Sequence, residues 1–332
     1  MNLQQRIYLL SRLGDYILSN PPDWRQVVER AGYENGWFIP EFVDSAAQNI
    51  AKSFLNSEKL AQWTDENHVP DTPVSPKKTG IVMAGNIPLV GFHDWLSVFI
   101  SGHYAVVKPS SRDSMLIKHL VQLIADWDPA AGVRTDFADM LKGCDAYIAT
   151  GSNNSSRYFD YYFSKFPHII RKNRTSVAIL DGRENEKELE GLADDVYLYF
   201  GLGCRNITKI YIPEGYDFVP LLEAFKKYHF LADHHKYKNN FDYNLALHLL
   251  NKKFYMSNGS ILLAEEPSLF SPISQLNYEF YSDADKLTES LHGSDQVQSI
   301  TGKGFVSFGQ SQFPGLSDFA DGVNTLEFLN SI

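Results

Sequence analysis

Apolar residues Leu3, Ile7, Leu10, Leu13 and Ile17 recur at helical spacing with Arg6, Arg12 and Asp15 between them, which predicts an amphipathic helix. Helical patterning continues through residues 1–65, broken by Asn20-Pro21-Pro22 and by the stretch from Gly36 to Pro40, with a further pattern from Trp37 to Leu60. Residues 66–78 mix prolines with polar side chains and read as a linker. The pattern then changes. Short apolar runs at residues 80–84, 104–107, 146–150 and 176–180 read as strands. Between them lie helical stretches at 89–101 and 112–127 and one carrying Arg157, Tyr158 and Tyr161. Strand, glycine- or proline-marked loop, helix and strand in repetition predict a parallel sheet in a doubly wound α/β domain.

A second α/β region follows. Leu189, Leu192, Val196, Tyr199 and Phe200 predict a helix, Gly201-Leu202-Gly203-Cys204 a tight turn, and Ile210-Tyr211-Ile212 a strand stopped by Pro213. Helices are expected at 218–229 and 242–253, and strands at 260–264 and 304–309. No internal repeat or low-complexity segment is present. The expected division is a first domain over residues 1–180, made of the helical region and a nucleotide-binding α/β fold. Residues 181–332 form a catalytic thiol domain whose C-terminal segment returns to the first domain or reaches an oligomer partner.

Composition narrows the function. The 332 residues are 44% hydrophobic and 21% charged, as in an ordinary globular protein. The net charge of −10, with no block of Lys or Arg, argues against a nucleic-acid partner. Two cysteines, Cys144 and Cys204, fit a reducing cytoplasm better than a disulfide framework. The N-terminal pattern is not that of a signal peptide, and no apolar run approaches the ~20 residues of a membrane span.

The candidate chemistry centres on Cys204. A glycine turn between helix and strand holds a nucleophile still while leaving its sulfur approachable. Arg205 and Lys209 nearby favour the thiolate; the alternative is a buried structural cysteine. In a parallel sheet, ligands gather at the carboxyl ends of strands. Those ends carry the loops at 85–88, 108–112 and 151–156, and Gly151-Ser152 opening a helix suits a phosphate, although a Gly-Ser N-cap also occurs where nothing binds. Adjacent His234 and His235 lack a third ligand at metal spacing, so no metal site is expected.

In order and spacing these pieces resemble the aldehyde dehydrogenase superfamily over about residues 79–273. Gly80 to Pro88 looks like that family's strand and Asn-x-Pro turn, with Asn86 at the oxyanion-donating asparagine. Val106-Val107-Lys108-Pro109-Ser110 resembles its Lys-Pro-Ser strand end, whose lysine holds the adenosine ribose, and Thr150-Gly151-Ser152 its helix start near the pyrophosphate. Gly201-Leu202-Gly203-Cys204 resembles Gly-Gln-x-Cys, placing Cys204 at the nucleophile. Glu265-Glu266 with Phe270 and Pro272 resembles a stretched Glu-Glu-x-Phe-Gly-Pro, whose second glutamate holds the nicotinamide ribose. Within the superfamily the chain is most similar to the acyl-CoA reductase branch, including the fatty-acid reductase component of bacterial bioluminescence.

The resemblance implies an aldehyde-dehydrogenase-like fold, with a Rossmann-type doubly wound cofactor domain and a second α/β catalytic domain. It further implies a homo-oligomer acting on an acyl-CoA, and a protein that hands over the acyl group is a possible partner. Two departures carry information. The family's Glu-Leu-Gly-Gly, whose glutamate activates water, corresponds to about Ile169 to Arg174, and no carboxylate lies between Asp160 and Asp181. That favours thioester reduction over hydrolysis to acid. The glutamate that follows Lys-Pro-Ser in NAD-using members is Ser111 here, with Arg112 next, so Lys108, Ser110, Ser111 and Arg112 are expected to favour NADPH over NADH. The expected cycle is attack of Cys204 on the acyl-CoA, loss of CoA, hydride reduction and release of aldehyde. An acyl phosphate or carrier-protein donor, and an inactive nucleotide-binding subunit, are the alternatives.

Overall fold

The computed structural model describes residues 1–332, the side chain of Asn153 excepted. The chain forms two compact units, residues 1–173 with 314–332, and residues 174–313.

The first unit opens with helices α1 (Leu3–Ser19), α2 (Pro22–Glu34), α3 (Pro40–Phe54) and α4 (Ser57–Glu66). Asn2 caps α1 through a capping box with Gln5, and prolines open α2 and α3, where the missing N–H is not needed. Strands and helices then alternate: β1 (Lys78–Val82), α5 (Phe92–Ser101), β2 (Tyr104–Lys108), α6 (Met115–Trp127), α7 (Pro129–Gly132), β3 (Thr135–Phe137), β4 (Ala146–Thr150), α8 (Asn153–Phe163) and β5 (His168–Arg171). The five strands are parallel, in the order β3-β2-β1-β4-β5. The apolar face of α5 is buried on nearly every side, with Trp95, Leu96, Val98 and Ile100 fully enclosed, and the helix packs against α1, the C-terminal helix Thr325–Asn330 and the strands β1 and β2.

Polar groups tie the periphery to this core. Arg6, which the helical pattern places among polar positions, is fully buried. Its guanidinium donates to the carbonyls of Ile100 (2.8 Å), Met1 (3.0 Å), Asp71 (3.1 Å) and Pro70 (3.1 Å). The proline-rich stretch expected to be a linker is therefore anchored at its middle. Arg171 at the end of β5 pairs with Asp94 of α5 at 2.7 Å, both side chains being less than a tenth exposed. It also donates to Thr325 Oγ1 (2.8 Å) and to the Ala320 carbonyl (2.6 Å), fastening the C-terminal helix Thr325–Asn330 to this unit.

The second unit contains β6 (Thr175–Ile179), α9 (Glu186–Tyr197), β7 (Ile207–Pro213), α10 (Phe218–Ala224), α11 (His235–Asn251), β8 (Met256–Ser257), β9 (Leu262–Glu265), β10 (Gln275–Tyr281), α12 (Ala284–His292) and β11 (Val297–Gly302). Its sheet runs β11-β6-β7-β10-β9-β8, parallel except for β8. The strand expected at 176–180 thus belongs to this sheet and does not close the first one, whose outer strand is β5. The late strand expected at 304–309 is displaced to β11, because Gly302, Gly304 and Gly309 all have positive φ and turn the chain. Among the described residues no helix is long and apolar enough to cross a membrane, and no group of three potential ligands is placed to hold a metal.

The Arg171–Asp94 pair gives a direct test. Asp94→Asn leaves the guanidinium buried without a counter-charge, and breaking a buried pair from one side costs about 3–5 kcal/mol. Urea unfolding should show that loss, and Asp94→Leu combined with Arg171→Met should recover much of it. A loss below about 1 kcal/mol in Asp94→Asn would mean the pair is solvent-screened like a surface bridge.

Candidate active site

In the first unit, Val82 of β1 lies level with Lys108 of β2 and Ala149 of β4, so the loops after these strands leave one edge of the sheet. The chain runs outward from β1 through β2 to β3 on one side and through β4 to β5 on the other. The crevice between the ends of β1 and β4 is therefore the topological switch point where doubly wound sheets take their ligands.

The first two loops interlock. A Cβ at Gly85 would come within 2.5 Å of Ser110 Oγ, so only glycine fits there. The Met83 N–H donates to the Lys108 carbonyl at 3.0 Å. Ser110 Oγ accepts from the Arg112 N–H at 3.2 Å, and the Arg112 carbonyl accepts from Asn35 Nδ2 at 3.2 Å. These bonds fix the Arg112 backbone while the Lys108, Ser111 and Arg112 side chains stay exposed. Asn86 is half-buried. Three residues on, Leu89 takes a positive φ of 56° and donates its N–H to Asp113 Oδ2 at 2.6 Å. Asp113 is buried, its Oδ1 has no hydrogen-bond partner, and burial pushes its carboxyl up to about 7, with the Leu89 N–H opposing. The third loop opens α8. Ser152 caps the helix by accepting from the Ser155 N–H at 3.3 Å, and a Cβ at Gly151 would lie 2.8 Å from the Phe159 ring.

In the second unit the Cys204 turn is more constrained than its two glycines indicate. Tyr199 and Phe200, both buried, take φ of 56° and 57°, and Gly201 follows at 74°. Three consecutive left-handed residues reverse the chain out of α9. Asn206, fully buried, closes the turn: its amide donates to the carbonyls of Asp195 (3.0 Å), Val196 (3.3 Å) and Leu198 (2.8 Å), and its oxygen accepts from the Gly203 N–H at 2.8 Å. Ser176 Oγ donates to the Cys204 carbonyl at 3.1 Å. Cys204 itself is half-buried, whereas Cys144 is buried and burial raises its thiol pKa. His234 packs on the Phe200 ring at 4.6 Å and caps α11.

No protein-family model matches the chain. Over 244 residues it is 22% identical to the long-chain acyl-protein thioester reductase 2 of Photobacterium leiognathi. That alignment covers 68% of this chain and 51% of the other protein, so the chain spans about half the length of the curated relative it matches. Among solved structures it is similar to the NAD-dependent aldehyde dehydrogenase of Sinorhizobium meliloti, with a TM-score of 0.66 and 14% identity over 91% of this chain and 70% of that one. The Mycobacterium tuberculosis aldehyde dehydrogenase complexed with NAD+ gives a TM-score of 0.64 at 12% identity, covering 91% of this chain and 73% of that one. The chain has the aldehyde dehydrogenase fold. The fold implied by the motif resemblance is thus borne out, and the Photobacterium protein is what the chain is similar to in sequence.

Within the aldehyde dehydrogenase fold two sequence expectations need correction. Lys209 is not directed at the thiol: its ammonium is buried and bound to Glu279 Oε2 (2.5 Å) and the Pro267 carbonyl (2.8 Å). Glu266 is not brought to the Cys204 edge. Its N–H donates to the Tyr278 carbonyl at 3.3 Å, well along β10, whereas Cys204 precedes the first residue of the parallel strand β7. Glu266 pairs instead with Lys253, beside a cavity of about 400 Å³ lined also by Phe254, Tyr278 and Glu279. The loop beyond it does return. Thr208 Oγ1 donates to the Leu269 carbonyl at 2.6 Å and Asn277 Nδ2 to the Phe270 carbonyl at 3.2 Å, so Phe270 lies at the amino ends of β7 and β10.

Asp113, Ser176 and Asn206 escape the sequence reading. Asp113 looks like an ordinary helix-start acid, Ser176 sits in a strand 28 residues from the carbonyl it reaches, and Asn206 sits in the turn, where its amide meets carbonyls 8 to 11 residues back. Asp113 supplies a pH test. A carboxyl raised from 3.8 to about 7 binds its proton more tightly when folded, so its contribution to stability is lost as pH rises from about 4 through 7. Asp113→Asn keeps an acceptor for Leu89 without a charge. Urea midpoints of variant and wild type should therefore diverge in the variant's favour between pH 5 and 8. Parallel curves would mean that Asp113 titrates as an ordinary acid.

Proposed function

We propose that this chain is an acyl-thioester reductase that converts an acyl-CoA to an aldehyde with NADPH, through a thioester on Cys204. The observation that carries this reading is the Cys204 turn, a half-exposed thiol fixed by buried hydrogen bonds at the amino edge of a parallel sheet. A nicotinamide dinucleotide suits the first unit's loops. Gly85 and Gly151 let the switch-point loops pack closely on Ser110 and the Phe159 ring, the capped start of α8 favours a phosphate, and Lys108 and Arg112 are exposed beside Ser111. Phe270 is the aromatic candidate for the nicotinamide side, and Glu266 has no part in this scheme.

The Cys204 thiolate attacks the thioester carbonyl, and the negative oxygen is met by the Cys204 N–H; the family resemblance implies a second donor, the Asn86 amide. One such donor is worth about 3–4 kcal/mol of barrier. The C–S bond to CoA breaks, CoA leaves as thiolate, and the acyl group stays on Sγ. When bound, a reduced nicotinamide supplies the hydride that this carbonyl carbon accepts. The resulting thiohemiacetal loses its hydroxyl proton and expels Sγ, giving aldehyde and free thiolate. The name of the Photobacterium relative favours a second reading in which the acyl donor is a protein-borne thioester.

The test is oxidation of NADPH and NADH with acyl-CoAs of graded length and with an acylated carrier protein. Turnover is expected with at least one thioester and should be abolished in Cys204→Ala, and iodoacetamide should modify Cys204 before Cys144. Aldehyde with oxidised cofactor should give acyl-CoA when CoA is present and little free acid when it is absent. Full turnover in Cys204→Ala would remove the mechanism.

Cofactor choice has its own test. A charge-assisted contact is worth about 1.5–3 kcal/mol. Arg112→Ala should therefore weaken NADPH binding roughly ten- to a hundred-fold in fluorescence titration and leave NADH nearly unchanged. Equal losses for both cofactors, or a wild type that prefers NADH, would overturn the assignment of Arg112 to the 2′-phosphate.

A further inference from the structure

The second unit holds a group of buried polar side chains that the reaction scheme leaves without a role. Asn206 uses both ends of its carboxamide on the segment that carries Cys204, and all four bonds go to backbone groups between Asp195 and Gly203. Its own backbone extends the lattice, the N–H to the Gly203 carbonyl at 3.1 Å and the carbonyl from the Ser176 N–H at 3.2 Å. Ser176, fully buried on β6, reaches the Cys204 carbonyl from the other side. Asp195, fully buried at the end of α9, accepts from the N–H groups of Gly309 (2.7 Å) and Ser311 (3.0 Å) and from Ser311 Oγ (2.8 Å). The last turn of α9 is thus held on one side by residues 309–311 and on the other by Asn206.

A fold needs a hydrogen-bonded way to end a helix, and a glycine in the left-handed region is the usual one. Here two large aromatic residues precede the glycine in that region, an unfavourable conformation that persists only where the surroundings over-determine it. A helix end alone does not require it. What the arrangement fixes is the backbone from Gly203 to Cys204, from both sides.

We propose that Asn206 and Ser176 are positioning residues for Cys204, holding its main chain so that Sγ and the Cys204 N–H keep a fixed relation to each other. They touch neither substrate nor cofactor in this assignment. It rests on Cys204 being the nucleophile, and on nothing about the identity of the acyl donor.

Two substitutions test it. Ser176→Ala removes its hydroxyl bond to the Cys204 carbonyl, and Asn206→Ala removes all four side-chain bonds. The first readout is the rate of Cys204 alkylation by iodoacetamide in the native protein, followed by peptide mass analysis across pH 6–9 with Cys144 as internal reference. The second is steady-state turnover with an acyl-CoA and NADPH. A misplacement of about 1 Å can cost roughly a hundred-fold in rate. Ser176→Ala should slow Cys204 alkylation several-fold and lower kcat about ten-fold with KM within three-fold. Asn206→Ala should lower kcat about a hundred-fold. Ser176→Thr, which keeps the hydroxyl, should restore more than half of the alkylation rate.

If alkylation and its pH profile in Ser176→Ala match the wild type while only thermal stability falls, the role is merely structural and the proposal is wrong. Ser176→Ala decides this even if Asn206→Ala does not fold. Alkylation needs neither acyl donor nor cofactor. If no thioester is turned over but the alkylation differences hold, the reductase reading fails and the positioning assignment survives.

Discussion

The Asn206 carboxamide is the contact on which the conformation of the Cys204 turn depends. Forcing Tyr199 and Phe200 into the left-handed region costs of order 1–3 kcal/mol apiece. A buried hydrogen bond returns about 1 kcal/mol net, so the four bonds of Asn206 are of the size needed to hold the turn, with burial of two aromatic rings added. The strain and its compensation are adjacent in the chain, but the groups that complete the lattice are not. Ser176 comes from the neighbouring strand, and Ser311 lies 116 residues from Asp195. The Cys204 turn is therefore specified by the sheet and by the loop after β11 as much as by Gly201-Leu202-Gly203-Cys204 itself.

The first unit follows the same logic. Its loops at the switch point are closed by glycines that admit close backbone approach and by polar side chains that spend their bonds on main-chain groups. Asp113 holds Leu89 and Ser110 holds Arg112, and away from that edge Arg6 gathers four carbonyls from segments far apart in sequence. Such groups order loops without enlarging the apolar core. They are also where the unit is most exposed to pH or to a single substitution, because a buried charge or donor without its partner is costly.

This explains what the chain discloses when read as a string. β1, β2 and β4 are apolar runs with a glycine or proline at their ends, and period and punctuation identify them. β3 is three residues of mixed polarity, β5 carries a histidine and an arginine in four positions, and β11 is small and polar, so none presents an apolar pattern. The run Gly304 to Gly309 does present one, yet its positive-φ glycines make it a turn. Cys204, Asn86 and the Lys108–Arg112 loop stand out in the string because their residue types and order resemble a known arrangement, and the roles that resemblance implies are proposals. Glu266 shows the limit of that route: a motif matched in a stretched form placed a carboxylate several residues along the sheet from where the scheme required it. Lys209 shows another, since proximity in sequence to Cys204 says nothing about which anion its ammonium meets.

The fate of an acyl group on Cys204 turns on which carboxylates are free to activate water. A positioned base contributes roughly 10²–10⁴-fold to such a step. Asp195 lies close to the turn in sequence but is buried and saturated by three donors. Asp194 accepts from the Tyr228 hydroxyl at 2.7 Å and from Lys227 at 2.6 Å. Glu279 is bound to Lys209, and the stretch from Ile169 to Arg174 carries no carboxylate at all. Each of these three carboxylates is committed to a structural partner, and turning one of them into a base would break a bond that orders α9 or the loop after β9. Given the proposed thioester, the second unit is therefore arranged to let it persist against water, leaving hydride addition or transfer to another thiol as its exits. In the proposed scheme, reduction is favoured by how these three carboxylates are engaged as well as by the presence of the thiol.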